Sequence, residues 1–441
     1  MTRVLILLAS AGALAQQPPL VLRNASVFDT AGGSFLANRT IVIRGEKIER
    51  ILETRARVRG ARVIDLRGQY VIPGLIDAHV HLVHQPDFAH MTPEELLPMY
   101  LAWGVTSLRD TGDEIVAETG ARKWADAHPE TCPRVFTCSP LLDADPPYHR
   151  DIGRAITDPA KVAETIEDIA AWGVTSLKIY VGTERPVGRA VIEEGHKRGL
   201  VVTAHLGKYS AQDAVADGID VLEHIWSVFN YGFPDGPRPA RHQLDLNHPR
   251  AVALRSLIQE RGTMVDPTLA VFRNMILLHD DPAIHAGADN ARVPKRLRDH
   301  WERYRAKSNL QPTTRAARQG EFDKYRELTG LLHRAGIPIL AGTDSPEPYV
   351  PPGASLHQEL EMLVESGLSP ADALRSATIV NARALKQQDR LGSIEPGKLA
   401  DLVVLGADPL ASIRNTRSIR MVVRGGRVLD PARVHSAVPV E

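Results

Sequence analysis

Apolar and polar positions alternate on two scales along this 441-residue chain. From 20 to 70 the apolar runs are short and β-rich: Leu20-Val21-Leu22, Thr40-Ile41-Val42-Ile43 and Arg62-Val63-Ile64-Asp65-Leu66. Turn residues such as Gly32-Gly33 and Gly45-Glu46 separate them. The same texture returns in Ala400-Asp401-Leu402-Val403-Val404-Leu405 and Met421-Val422-Val423-Arg424. Two β-rich ends around a long centre predict a small β-sandwich module built from residues 16–70 plus 390–441. In between, strand-length apolar runs alternate with helical patterns, as parallel βα units do. The predicted strands are 70–80, 104–110, 134–139, 173–180, 200–205, 219–224, 263–270 and 337–343. They predict an α/β fold, a (β/α)8 TIM-like barrel over 71–389.

An internal echo supports that reading. Ala102-Trp103-Gly104-Val105-Thr106-Ser107-Leu108 recurs as Ala171-Trp172-Gly173-Val174-Thr175-Ser176-Leu177. In each copy a helix ends at glycine and a β-branched strand begins. The echo places Arg109 and Lys178 at equivalent strand ends, directed toward the face where a barrel carries its chemistry. Residues 275–330 are long, charged and helix-prone. They read as a solvated helical excursion, with a lid over the site as the sharper alternative.

Composition narrows the function classes. Lys+Arg and Asp+Glu both number 53 and no basic cluster stands out, so nothing favours nucleic-acid binding. At the N-terminus, Arg3, the apolar run Val4–Ala15 and the Ala13-Leu14-Ala15 site form the three parts of a secretory signal peptide. The run is shorter than the ~20 residues a membrane-spanning helix needs. Residues 1–15 are therefore expected to be removed on export, to the periplasm or outside the cell, leaving no stable membrane insertion. Cys132 and Cys138 bracket a strand-like run, which would hold their sulfurs roughly 20 Å apart. They are not expected to pair.

Charged and imidazole residues then fall where a barrel would use them. His79 and His81 close the apolar run that begins at Val71, and strand alternation sets both on one face. Two imidazoles on one face are half of a metal site. Lys178 ends Val174-Thr175-Ser176-Leu177, His205 ends Val201-Val202-Thr203-Ala204, and His224 ends Ile219-Asp220-Val221-Leu222-Glu223. Asp344 follows Ile337-Pro338-Ile339-Leu340-Ala341-Gly342-Thr343. A lysine buried in an apolar strand is costly as an ammonium and can react as a neutral amine, for example with CO2 to give a carbamate. Alone, each of these residues reads as readily as a core or surface group; together they mark one site.

The set resembles the amidohydrolase superfamily. Pro73-Gly74-Leu75-Ile76-Asp77-Ala78-His79-Val80-His81 is similar to that family's first-strand motif. Leu177-Lys178-Ile179-Tyr180, Thr203-Ala204-His205, Leu222-Glu223-His224 and Ala341-Gly342-Thr343-Asp344 follow in the family's order. The run from Leu391 to Leu405 is also typical. The resemblance is strongest to the branch of prolidase-like dipeptidases, ochratoxinase-like amidases and imidazolonepropionase-related proteins. It implies two divalent metal ions, zinc by expectation: His79, His81 and Asp344 on one, His205 and His224 on the other, with carboxylated Lys178 between them. It further implies amide or peptide hydrolysis of a small molecule, such as a dipeptide or N-acyl amino acid, by a hydroxide shared between the metals. Asp344 would serve as proton shuttle and His149 as oxyanion donor, with Tyr180 as the weaker candidate. His149 sits in Pro146-Pro147-Tyr148-His149, which departs from the branch's Gly-Gly-His form. Cyclic-amide or lactone hydrolysis, or deamination, is the alternative on this scaffold, and a non-enzymatic binding protein is a third reading. Homo-oligomerisation is open.

Overall fold

The computed structural model describes residues 18–53, 58–84, 88–231, 240–309 and 313–438. The expected signal peptide, 1–15, lies outside the described residues.

The chain enters through β1 (Leu20–Asp29), β2 (Ser34–Arg44), β3 (Lys47–Leu52), β4 (Arg62–Asp65) and β5 (Tyr70–Pro73). There follow β6 (Leu75–Val80), β7 (Val105–Asp110), β8 (Arg134–Phe136), β9 (Cys138–Asp143), β10 (Gly153–Ala155), β11 (Ser176–Ile179), β12 (Val201–Ala204), β13 (Val221–Glu223) and β14 (Met264–Asp266). The C-terminal part supplies β15 (Leu402–Leu405), β16 (Ile419–Arg424) and β17 (Arg427–Leu429).

The two β-rich ends do meet. They form one mixed sheet in the order β17-β16-β15-β5-β1-β2-β3, with β4 parallel to β1. It curls around an apolar cluster of its own that includes Leu22, Ile41, Ile43, Val71, Leu402 and Val404. Hydrogen bonding joins all eight of its strands into a single sheet, so the two ends form one module, and the pairing by itself does not establish the two layers of the expected sandwich.

The central strands are parallel throughout, in two runs, β6-β7-β8 and β10-β9-β11-β12-β13-β14. Two expected strands differ in detail. The run 70–80 divides at Gly74: β5 belongs to the terminal sheet and β6 to the parallel one. Gly74 N donates to Asp401 O at 2.7 Å, and a Cβ there would sit 2.1 Å from Thr106 Oγ1, so the crossing between sheets requires glycine. The stretch 337–343 forms no regular ladder. It joins its neighbours by single bridges and by Leu340 N to Val265 O (2.9 Å) and Ala78 N to Ala341 O (3.1 Å). Pro338 lacks one ladder donor, and Asp344, just past the stretch, holds left-handed backbone.

Cys132 and Cys138 are buried free thiols, as expected. Among the described residues no helix is long and apolar enough to cross a membrane. The stretch 275–330 is helical, but it is not simply solvated. In the helix Lys295–Lys307, Leu297 and Trp301 are fully buried, and Trp301 Nε1 donates to Pro346 O at 3.2 Å. Tyr349 OH also donates to Glu302 Oε1 at 2.9 Å. The excursion is thus fastened to the loop that follows Asp344.

Candidate metal centre

Every site residue expected from the sequence lines one cavity of about 310 Å³: His79, His81, His149, Lys178, Tyr180, His205, His224 and Asp344. The cavity opens at the C-terminal ends of the parallel strands. His81, His205, His224 and Asp344 each lie just past a strand or strand-like run, which aims them out of the sheet together. Two of them hold left-handed backbone, His224 at φ 67° and Asp344 at φ 62°. Such non-glycine conformations cost about 1–3 kcal/mol each and collect at functional sites, where surrounding structure imposes them.

The residues form two groups. The ligand atoms of His79, His81 and Asp344 lie within 4.8 Å of one another. Asp344 Oδ1 stands 3.4 Å from His79 Nε2 and 3.3 Å from His81 Nε2. His205 and His224 face each other with ring centroids 4.5 Å apart, and the His79 and His224 centroids are 4.8 Å apart. Lys178 is buried, and its Nζ has no hydrogen-bond partner. The same is true of His79 Nε2 and His81 Nδ1. Buried polar atoms without partners are rare, and here Lys178 and His79 Nε2 lie in one cavity with the imidazole and carboxylate donors that suit zinc-like ions. The residues fit a divalent metal centre.

Electrostatics favours the ligand forms. Burial, reinforced by the Lys178 charge, holds His79 at about 4 and His205 at about 3, and burial with His205 pushes His224 well down. At neutral pH these rings are uncharged, with a lone pair to give. Burial alone would raise the Asp344 carboxyl, but His79, His81 and His224 outweigh it and hold it below the ordinary range. Burial pushes Lys178 down against the attraction of Glu223, which favours the neutral amine.

Beneath these residues lies a layer that sequence reasoning left without a role. Glu223 Oε2 sits 2.9 Å from His79 Nδ1, while its Oε1 accepts from Arg109 Nη2 at 2.6 Å and from Thr203 Oγ1. Burial would raise this carboxyl, but Arg109, Lys178 and His79 together hold it well below normal, so it stays ionised. An ionised carboxylate only accepts, so His79 must carry its proton on Nδ1 and offer Nε2 to the cavity. Arg109 therefore does not reach the site as its echo with Lys178 suggests. It lies fully buried under the site, with Nε donating to Ala78 O at 2.7 Å. Glu223→Gln keeps a partner for Arg109, whereas alanine would strand a buried guanidinium. We expect Glu223→Gln to weaken metal retention by ~10–100-fold, read by dialysis against graded chelator, with the circular dichroism unchanged.

His224 Nδ1 is held by Thr268 Oγ1 at 2.8 Å, and the helix start beside Thr268 is capped by Glu359 through Leu269 N and Ala270 N. Asp266 packs between His79 and Gly342. A Cβ on Gly342 would meet Asp266 Oδ2 at 2.1 Å and His79 Cβ at 2.6 Å. Asp266 ends an apolar strand just as Asp344 follows one, a signal hidden by extending that strand to 270. His84 is a further lining residue the sequence did not single out. Asp113 fixes its loop by accepting from Val83 N and His84 N at 2.9 Å each.

His149 and Tyr180 stand on the wall of the same cavity, with the Tyr180 ring 4.9 Å from that of His205. Their rings are 5.6 Å apart, and His84 lies 5.2 Å from His149. Burial, aided by His84, lowers His149, leaving a neutral ring with one N–H to donate. Burial raises Tyr180 far above its usual value, so its hydroxyl keeps its proton.

Known proteins share this architecture. An imidazolonepropionase of Geobacillus kaustophilus is 24% identical over 90% of this chain and 90% of its own length. An adenine deaminase of Serratia proteamaculans is 25% identical over 91% of this chain, which spans only 56% of that protein. A prolidase solved with N-methylphosphonate-L-proline superposes with a TM-score of 0.72 at 23% identity, covering 93% of this chain and 99% of that one, a likeness of fold. The amidohydrolase family model matches residues 70–429, the stretch that holds every ligand candidate, so the chain belongs to the amidohydrolase family of metal-binding hydrolases acting on C–N bonds.

Proposed function

We propose that this enzyme hydrolyses an amide or peptide bond of a small molecule at a two-metal centre, with zinc as the metal. The carrying observation is the buried, unpartnered Nζ of Lys178 in the same cavity as four histidines and Asp344. A neutral amine there can add CO2: its nitrogen forms the bond to carbon as one C=O π bond opens, and loses a proton to solvent, giving a carbamate with one negative charge shared by two oxygens. His79, His81 and Asp344 would hold one ion, His205 and His224 the other, and the Lys178 carbamate both. When bound, such ions polarise a carbonyl and lower the pKa of water toward ~7. Asp344 accepts a proton from the attacking water and delivers it to the leaving nitrogen. His149 donates its N–H to the carbonyl oxygen as charge develops, with Tyr180 OH as the second donor on that wall. We further read the parallel strands as one closed barrel, sealed by the bridges of Ile339 to β14 and of Ser345 to β6.

Metal analysis combined with turnover of dipeptides, N-acyl amino acids and lactones tests this reading. Two ions per chain and amide cleavage are expected. One ion per chain with deamination or ring opening would favour the alternative suggested by the deaminase and imidazolonepropionase relatives. His149→Ala is expected to keep both metals and lose kcat by roughly 10²–10³-fold. Wild-type turnover in that variant would make the loop histidine a bystander and Tyr180 the next residue to replace.

Export is proposed on the N-terminal pattern alone. Protein from the host's envelope is expected to begin at Gln16, and an intact Met1 on cytosolic protein would refute this.

A further inference from the structure

Beside the metal cavity lies a second, outer cavity of about 440 Å³ that nothing above employs. The two share Arg241, Phe272 and Met275 as common wall. The apolar part of its lining is Ile276, Leu278, Tyr304 and Ala317, from the helices Leu269–Leu277, Lys295–Lys307 and Arg315–Arg334 and the residue after the first of them; His242, His279, Arg318 and Glu321 also line it. These helices belong to the 275–330 excursion and its approach.

We infer that the outer cavity is a substrate subsite for an elongated apolar arm, an alkyl chain of roughly six carbons or more carried by the scissile amide. This rests on the amide-hydrolase reading. The inner cavity alone is near the lower end of the ~300–1,000 Å³ typical of small-molecule sites, and the reacting bond takes part of it. One route from that bond crosses the shared wall, where Phe272 and Met275 offer an apolar path; the other passes Tyr180, His205 and Trp226. Met275 and Tyr304 are large, exposed side chains gathered at one cavity, where a single exposed apolar residue would need no explanation. The junction is also built rather than open. Arg241 Nη1 donates to Glu321 Oε1 at 2.8 Å and to Tyr325 OH at 3.1 Å, and Tyr325 packs edge-on against Phe272 at 5.6 Å. Arg241 is therefore tied back to the excursion, beside the passage it borders.

The test compares two series on the metal-loaded full chain. N-acetyl-, N-hexanoyl- and N-decanoylglycine place the arm on the acyl side; N-hexyl- and N-decylacetamide place it on the amine side. We expect kcat/KM to rise at least about tenfold with arm length in one series, which identifies the side. Ala317→Trp, filling the outer cavity, should flatten that rise, and Tyr304→Ala, widening the same cavity, should steepen it. Two flat series, or a rise untouched by Ala317→Trp, would overturn the proposal and leave amide hydrolysis standing. If neither series turns over, the hydrolase reading fails on its own, and calorimetric binding decides the subsite. Decanoate at least about tenfold tighter than acetate, with the difference lost in Ala317→Trp, supports it; equal affinities overturn it. Should Ala317→Trp misfold, Tyr304→Ala decides: a steeper length dependence supports the subsite, and one unchanged from wild type overturns it.

Discussion

Lys178→Ala is expected to lose its metals and its activity together, with a fall in kcat/KM beyond the ~10²–10⁴ worth of a single proton-transfer group. The reason lies in what this lysine lacks. Its ammonium would be buried with no acceptor on Nζ, a state that costs several kcal/mol unless charge is removed or paired. Burial and the nearby Arg109 both favour the neutral amine. The neutral amine is the form that takes up CO2, and the product converts the residue from a cation into a bridging anion. Alanine removes both oxygens and leaves a hollow in a rigid strand, because Lys178 N stays bonded to Ser139 Oγ at 2.9 Å. Formate, acetate or propionate can enter that hollow and supply carboxylate oxygens, so part of the metal content and part of the rate should return. In wild type, ¹³C-bicarbonate should give a carbamate resonance that is missing in the variant. Full two-metal occupancy in Lys178→Ala without added acid would rule out bridging.

The legibility of this site from sequence has a physical cause. A parallel strand buried on both faces reads as an unbroken apolar run, so a charge at its end is conspicuous. His79, His81, Lys178, His205, His224 and Asp344 all announce themselves in that way, and they converge on one cavity. The layer that orients them does not. Glu223 stands next to a ligand candidate, yet nothing local shows that its partners are Arg109 and His79, which lie 114 and 144 residues away in the chain. Arg109 misleads for the related reason that an echo fixes backbone position and leaves open whether a side chain turns toward cavity or core. The break at Gly74 was equally hidden, since the apolar pattern continues while the chain changes sheets. Trp226, Arg241 and Glu347 reach the cavity from loops and helix starts, where no periodicity marks them.

Asp344→Asn is expected to retain most of its metal and lose kcat by ~10²–10⁴-fold. Asparagine keeps one oxygen in place, so the group of His79, His81 and residue 344 still offers three ligands. The backbone should hold too, because asparagine tolerates the left-handed φ of 62° at this position better than most residues. What it cannot do is carry a proton. The three imidazoles beside Asp344 hold its carboxyl below the ordinary range against the effect of burial, so it is ionised and ready to accept. Once protonated, a carboxyl held that low gives the proton up readily, which favours delivery to a leaving nitrogen over storage. The substitution should therefore act on kcat far more than on KM. It should spare substrates whose leaving group needs no proton, so an activated ester such as a p-nitrophenyl acylate ought to lose much less than the matching amide. Steady-state kinetics on that pair, with metal analysis of the same preparations, makes the distinction. Equal losses on ester and amide would show that Asp344 serves the metal alone, and turnover within about tenfold of wild type on the amide would remove it from proton transfer.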